Sequence, residues 1–289
     1  MPDKSQLTKS GNTRKTVLAI HDLSGYSHTS LMAVIPIMNT LQISVCALPT
    51  AILSTNTEQT GFRMLDCSAE MDGFLQHWKE LNLSFSAIYS GFLGSDKQVE
   101  LVIKAIEMFS KSKPLIVIDP VMADDGKLYD CFDKSIVNSM QKLISYADII
   151  TPNLTEAAFL LNEIYNPNIS YKQVKDWCRM LSGYGAKQVV ITSVPVYNDK
   201  TRTAVVCYDK NTETFSKTTC QYLPVNYPGS GDIFTSVLTC FLLKGQTLTE
   251  SVRKATNFVC KAIGITMQHN TPQQEGIALE KVLHLLRKM

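Results

Sequence analysis

No apolar run in the 289-residue chain reaches the roughly 18 residues that a membrane-spanning helix requires, and the N-terminus lacks the apolar stretch of a signal peptide. These absences predict a cytoplasmic protein with no membrane partner. A dominant charge is missing too. The 28 basic and 26 acidic residues are mixed along the chain and leave a net charge of +2, which argues against a nucleic-acid partner. Cys46, Cys67, Cys131, Cys178, Cys207, Cys220, Cys240 and Cys260 form no CxxC pair and have no neighbouring histidine pattern. Reduced thiols are expected rather than a disulfide framework or a zinc site. Internal repeats, Pro/Ser-rich linkers and shifts of composition are likewise absent, so one domain is the simpler organisation. What the sequence does have is apolar material, 45% of residues, enough to fill a sizeable core.

Residues 1–15 are polar and aperiodic, and read as a disordered extension or the remnant of an added tag. The fold is assigned to residues 16–289. There, short β-rich runs at Thr16–Ile20, Ile43–Leu48, Ala87–Tyr89, Leu115–Ile118, Asp148–Ile150 and Gln188–Ile191 read as buried strands separated by helix-length stretches. Ser95 with Gln98, Asn153 with Glu156, and Thr247 with Glu250 have the spacing of capping boxes, in which each side chain bonds the other residue's amide. Such alternation predicts an α/β fold with a central, mostly parallel sheet and helices on both faces. Thr203–Tyr208 and Glu213–Cys220, split by a turn-rich segment, predict an antiparallel hairpin at one edge. In such sheets ligands bind where strands end and helices begin.

Three segments there carry chemistry. Gly229-Ser230-Gly231-Asp232 precedes an apolar stripe of Ile233, Phe234, Val237, Leu238, Phe241 and Leu242, which places two glycines and an acid at a helix N-terminus. Bare backbone amides and the helix dipole there suit a phosphate. The plainer reading, Asp232 as a dipole-favoured acid and Ser230 as an N-cap, fits the segment equally well. The strand Leu115–Ile118 runs into Asp119, Asp124 and Asp125, carboxylates suited to Mg²⁺, although Asp124 and Asp125 also read as a solvated turn. Asn153 and Glu156 begin a helix just after a strand, and that cap can also present Glu156 to metal-bound water.

Together the Asp119-Pro-Val-Met-Ala-Asp124, Thr151-Pro-Asn-Leu-Thr-Glu156 and Gly229-Ser-Gly-Asp232 runs resemble the vitamin-kinase branch of the ribokinase-like superfamily. That branch includes pyridoxal and hydroxymethylpyrimidine kinases. The likeness continues through Ile20–Tyr26, Leu48–Ser54 and Ser90–Phe92, and is nearest to bacterial pyridoxal and pyridoxamine kinases. It implies a ribokinase-like fold and transfer of the ATP γ-phosphate to a hydroxymethyl group, with Asp232 as base and the Gly229–Gly231 amides as anion hole. By the same resemblance Asp119 and Glu156 organise Mg²⁺, and Asp119, Asp124, Asn153, Glu156, Thr192 and Ser193 lie along ATP. Asp22, Thr50 and Phe92, with Asp232, line the vitamin pocket, although Asp22 and Thr50 also read as ordinary strand-end caps. Phe92 replaces a common tyrosine, so ring packing survives and a hydroxyl contact does not. Asp124–Phe132 resembles a cover over the substrates. Ala123, standing where glycine is common, would be strained if its φ were positive. A monovalent cation such as K⁺ and a homodimer complete what the family implies.

The expected activity is phosphorylation of pyridoxal, pyridoxamine or pyridoxine at the 5′-hydroxymethyl group. Hydroxymethylpyrimidine kinase of thiamin synthesis is the alternative within the class. Outside it stands a B6-binding protein without catalysis, against which the retention of Asp232 and both glycines speaks.

Overall fold

The computed structural model describes residues 14–57 and 59–289. The expectation for residues 1–15 falls outside the described residues except at Arg14 and Lys15, and Lys15 already accepts a backbone bond from Ser44.

The parallel part of the sheet contains β1 (Thr16–Ser24), β2 (Ser44–Leu53), β4 (Ala87–Ser90), β5 (Leu115–Ile118), β8 (Ile149–Ile150) and β9 (Gln188–Val196). The antiparallel strands are β3 (Met64–Asp66) at one edge and β10 (Asp199–Asp209) with β11 (Thr214–Gln221) at the other. Across the sheet the order is β11-β10-β9-β8-β5-β4-β1-β2-β3. The mostly parallel sheet and the edge hairpin are therefore as the sequence predicts.

Alternation along the strands explains why they are apolar throughout. In β1, Leu18 and Ile20 face a core layer shared with α2 (Ser68–Glu80), α3 (Asp96–Met108), α4 (Ser135–Ile144), α5 (Leu154–Leu161) and α6 (Tyr171–Gly183). Val17 and Ala19 face the opposite layer, with α1 (Leu31–Thr40), α7 (Ser230–Leu243), α8 (Leu248–Gln268) and α9 (Leu279–Leu286). A strand buried on both faces cannot alternate polar with apolar residues. Among the described residues no helix is long and apolar enough to cross a membrane, and all eight cysteines are free thiols.

Of the three expected capping boxes, only Asn153 with Glu156 is reciprocal. Ser95 and Thr247 do cap α3 and α8. Their partners, however, turn away: the Gln98 side chain accepts from Gly94 N–H at 2.8 Å, and Glu250 pairs with Arg253 at 2.8 Å.

Candidate active site

Asp22 lies near the end of β1, Asp119 follows β5, Asn153 follows β8 and Thr192 lies in β9, so the parallel strands deliver these groups to one edge of the sheet. The N-terminus of α7 meets them there. Its N-cap is Gly229, not Ser230, and no side chain caps it. Gly229 has φ 85°; an added Cβ would collide with the His28 carbonyl and lie 3.1 Å from Thr29 Cα. Only glycine combines that conformation with so close an approach. The nearest neighbour of a Cβ on Gly231 would be Asp119 Oδ2 at 3.8 Å, so the first turn of α7 opens toward the Asp119 carboxylate. Amides in a first turn lack intrahelical partners, although Ser230 N–H spends itself on a 3.3 Å bond to the Tyr227 carbonyl.

Asp232 is the hub. Its Oδ2 accepts the Ser30 N–H at 2.8 Å, and its Oδ1 faces His21 Nδ1 at 3.7 Å. Ser30 adopts φ 49° with ψ −129°, a positive-φ conformation outside the left-handed helical well and unusual for serine, while its amide points at the carboxylate. The Ser30 hydroxyl donates to Asp22 Oδ1, and Ser24 donates to Asp22 Oδ2 at 3.3 Å. Burial raises the Asp22 carboxyl above its ordinary range; these hydroxyl bonds offset part of the rise, and the charge of Asp232 adds to it. On the other side the Thr235 hydroxyl of α7 lies 3.3 Å from Asp119 Oδ2 and 3.0 Å from the Thr151 hydroxyl, and shares its one proton between them. Asp119 is pushed up to about 7 by burial and then by the charge of Asp232.

Glu156 is also buried, and its carboxyl is raised by burial and by Asp119. Both of its oxygens are engaged by backbone, Oε2 by Asn153 N–H at 2.7 Å and Oε1 by Met122 N–H at 3.2 Å. The Asn153 amide donates to the Ala123 carbonyl at 2.8 Å. Thr192 and Ser193 form a bulge in β9: Ile191 pairs with Val206 and Val194 with Ala204, which leaves two residues opposite Val205. Ser193 takes φ 56° there, and Thr192 bridges to Asn153. A bulge of this kind redirects side chains at a sheet end.

The segment expected to cover the site contains a hairpin that sequence reading did not anticipate, β6 (Ala123–Asp124) and β7 (Lys127–Leu128), turned by Asp125 at φ 46° and Gly126 at φ 79°. Those two residues, not Ala123, carry the positive φ, so the expected strain at Ala123 does not arise. Asp124 accepts from Asp125 N–H at 2.9 Å, and burial raises its carboxyl. Phe132, at the far end of the segment, packs on Phe92 with ring centroids 5.4 Å apart. Thr50 is buried and donates to the Phe92 carbonyl at 3.4 Å. Thr50 and Phe92, two of the residues expected to line the pocket, thus meet the 124–132 segment expected to cover it.

Among the described residues no cluster of three or more histidine, cysteine or carboxylate side chains forms a ready metal cage. What the site offers instead is a pair of buried carboxylates with raised proton affinity, Asp119 and Glu156. That donor set fits Mg²⁺, which keeps several waters and takes few protein ligands besides phosphate oxygens. Sequence reading missed Ser30, His21 and Thr235, whose parts depend on partners far away in the chain.

A family model described as phosphomethylpyrimidine kinase matches residues 33–276. A solved structure from Bacteroides thetaiotaomicron, described as a candidate phosphomethylpyrimidine kinase and crystallised with pyridoxal, is 44% identical. It superposes with a TM-score of 0.92 over 95% of this chain and 96% of that one. A pyridoxal kinase of Lactobacillus plantarum is 29% identical, with a TM-score of 0.84 over 94% of this chain and 96% of that one. The pyridoxal kinase PdxY of Pasteurella multocida is 26% identical over 93% of this chain and 95% of its own length.

Proposed function

This chain belongs to the phosphomethylpyrimidine kinase family, and on that premise we propose that it is an ATP-dependent kinase of pyridoxal, pyridoxamine and pyridoxine. The carrying observation is the placement of Asp232: at the N-terminus of α7, with one oxygen fixed by Ser30 N–H and Asp22 beside it. A hydroxymethyl group seated against Asp22, Thr50 and Phe92 would give its proton to Asp232 as its oxygen attacks the γ-phosphorus of ATP, breaking the bond to the β–γ bridging oxygen and releasing ADP. Phosphoryl transfer is mostly positioning and charge stabilisation, which the Gly229 and Gly231 amides, on either side of the already bonded Ser230 N–H, are suited to supply. Asn153, Asp124, Thr192 and Ser193 would line the nucleotide. Asp119 would hold Mg²⁺ directly or through water, and Glu156, with both oxygens already bonded to backbone, would act on its water shell. When bound, Mg²⁺ neutralises phosphate charge. Closure of the 124–132 cover through Phe132 would keep water from competing as acceptor.

We read residues 16–289 as one domain because one sheet organises both core layers. A homodimer is supported by the apolar edge at β3, where Ile52, Phe62, Met64 and Leu65 are all exposed. A role for K⁺ rests on the family resemblance alone.

The test is ADP release with MgATP and, separately, pyridoxal, pyridoxamine, pyridoxine and hydroxymethylpyrimidine, with products identified by mass. Turnover confined to the B6 vitamers supports the proposal, and a large preference for the pyrimidine selects the thiamin-pathway alternative that the family's description also suggests. Asp232→Asn should lower kcat by at least about a thousandfold while ATP binding persists. Near-normal turnover in that variant would remove Asp232 from the role of base.

A further inference from the structure

His21 has no part in the chemistry above, yet it is placed at its centre. It lies in the middle of β1 with no exposed surface, and neither Nδ1 nor Nε2 has a hydrogen-bond partner. Buried polar atoms are nearly always paired, so an imidazole with two orphaned nitrogens calls for an explanation. Its position is fixed from several sides. The ring packs edge-on against Tyr89 with centroids 4.3 Å apart. Gly91 makes room for it, since a Cβ there would collide with Nδ1 and Cε1. Backbone pairing of β1 with β2 on one side and β4 on the other holds the strand that carries it.

From this fixed seat Nδ1 faces Asp232 Oδ1 at 3.7 Å, just beyond hydrogen-bond length. The other oxygen of the same carboxylate is already held by Ser30 N–H. A carboxylate pinned at one oxygen can still swing about that bond, and a base that must meet a substrate hydroxyl has to be fixed at both. Catalytic hydrogen bonds are often long in the free enzyme and tighten in the substrate complex. We infer that His21 is a positioning residue for Asp232, its Nδ1–H closing on Oδ1 when substrate binds and aiming the carboxylate at the acceptor hydroxyl. This rests on the assignment of Asp232 as base.

The two nitrogens of histidine can be mimicked separately, which makes the inference testable. Asparagine places an amide near the position of Nδ1, glutamine near that of Nε2, and phenylalanine keeps the ring without a donor. Kinetics of His21→Asn, His21→Gln and His21→Phe are measured at saturating MgATP, with thermal melting to report folding. His21→Phe and His21→Gln should lose about ten- to a hundredfold in kcat with KM for the vitamer changed by less than about threefold, as for a misaligned catalytic group. His21→Asn should retain most of kcat. In an Asp232→Asn background, His21→Phe should lower the residual rate no further, because the carboxylate it positions is gone. Equal losses in the Asn and Gln variants, or wild-type kcat in His21→Phe, would overturn the inference; should the Phe variant fail to fold, the Asn–Gln comparison decides. If Asp232→Asn alone turns over normally, the fault lies with the base assignment.

Discussion

Replacing Asp119 with asparagine should make the metal-free protein more stable at alkaline pH while disabling it. The folded state holds this carboxyl at about 7 against an ordinary 3.8, through burial and the nearby charge of Asp232. The sign follows from linkage: a folded-state pKa above the unfolded one means that stability is fully present below about 3.8 and is lost as pH rises through about 7. A tenfold change in proton affinity is worth about 1.4 kcal/mol, so ionising Asp119 takes at most roughly 4 kcal/mol from the folded state at pH 8. Asparagine escapes that loss but weakens the 3.3 Å bond from Thr235, which leaves an expected net gain of about 1–3 kcal/mol. Urea denaturation in EDTA at pH 8 and pH 5 measures it. The advantage of the variant should shrink by about 2–3 kcal/mol between the two. MgATP should then stabilise wild type more than the variant, narrowing the gap. A difference between the two proteins that is the same at both pH values would refute the electrostatic account of Asp119.

Gly229→Ala combines φ 85° with a collision against the His28 carbonyl; it should cost about 1–3 kcal/mol in urea denaturation and depress turnover together. Phe132→Ala removes the ring that packs on Phe92; ADP release without any vitamer should rise severalfold as water gains access, and KM for the vitamer should rise with it. Thr247→Ala deletes the 3.2 Å cap bond to Glu250 N–H; about 1 kcal/mol of stability should be lost in urea with kcat unchanged.

The parallel strands were legible because burial on both faces demands continuous apolar runs, and β1 shows this with Val17 to Ile20 fully buried. By the same reasoning β3 was not legible: Met64, Leu65 and Asp66 are all exposed, so no burial pattern marks them. The β6–β7 hairpin carried the Asp125-Gly126 turn signal, but strands of two residues are too short to show a period. Among site residues, Asp119, Asn153, Glu156 and Asp232 stood out because each adjoins a strand end or opens a helix. Thr235 carries no such mark, and Ser30, although it is the N-cap residue of α1, shows nothing locally of its bond to Asp232. Their roles come from bonds to Asp232 and Asp119 that span 202 and 116 positions of sequence, and only the folded sheet creates them.

That same convergence explains the charge of the site. Among the described residues no lysine or arginine forms an ion pair with Asp22, Asp119, Asp124, Glu156 or Asp232. Instead Asp22, Asp119, Asp124 and Glu156 are all raised in proton affinity by burial. A cluster built for structure would pair its charges or dispense with them, since unpaired buried carboxylates destabilise a fold. Hydroxyl and backbone N–H bonds compensate here in part, and what binds would supply the rest. A divalent cation would lower the repulsion at Asp119 and Glu156, whereas a bare triphosphate would add to it. Nucleotide affinity should therefore depend on the metal far more than on any surface lysine. Calorimetric titration of ATP with and without Mg²⁺ measures this directly, and equal affinity in both would mean that the carboxylates serve some other ligand.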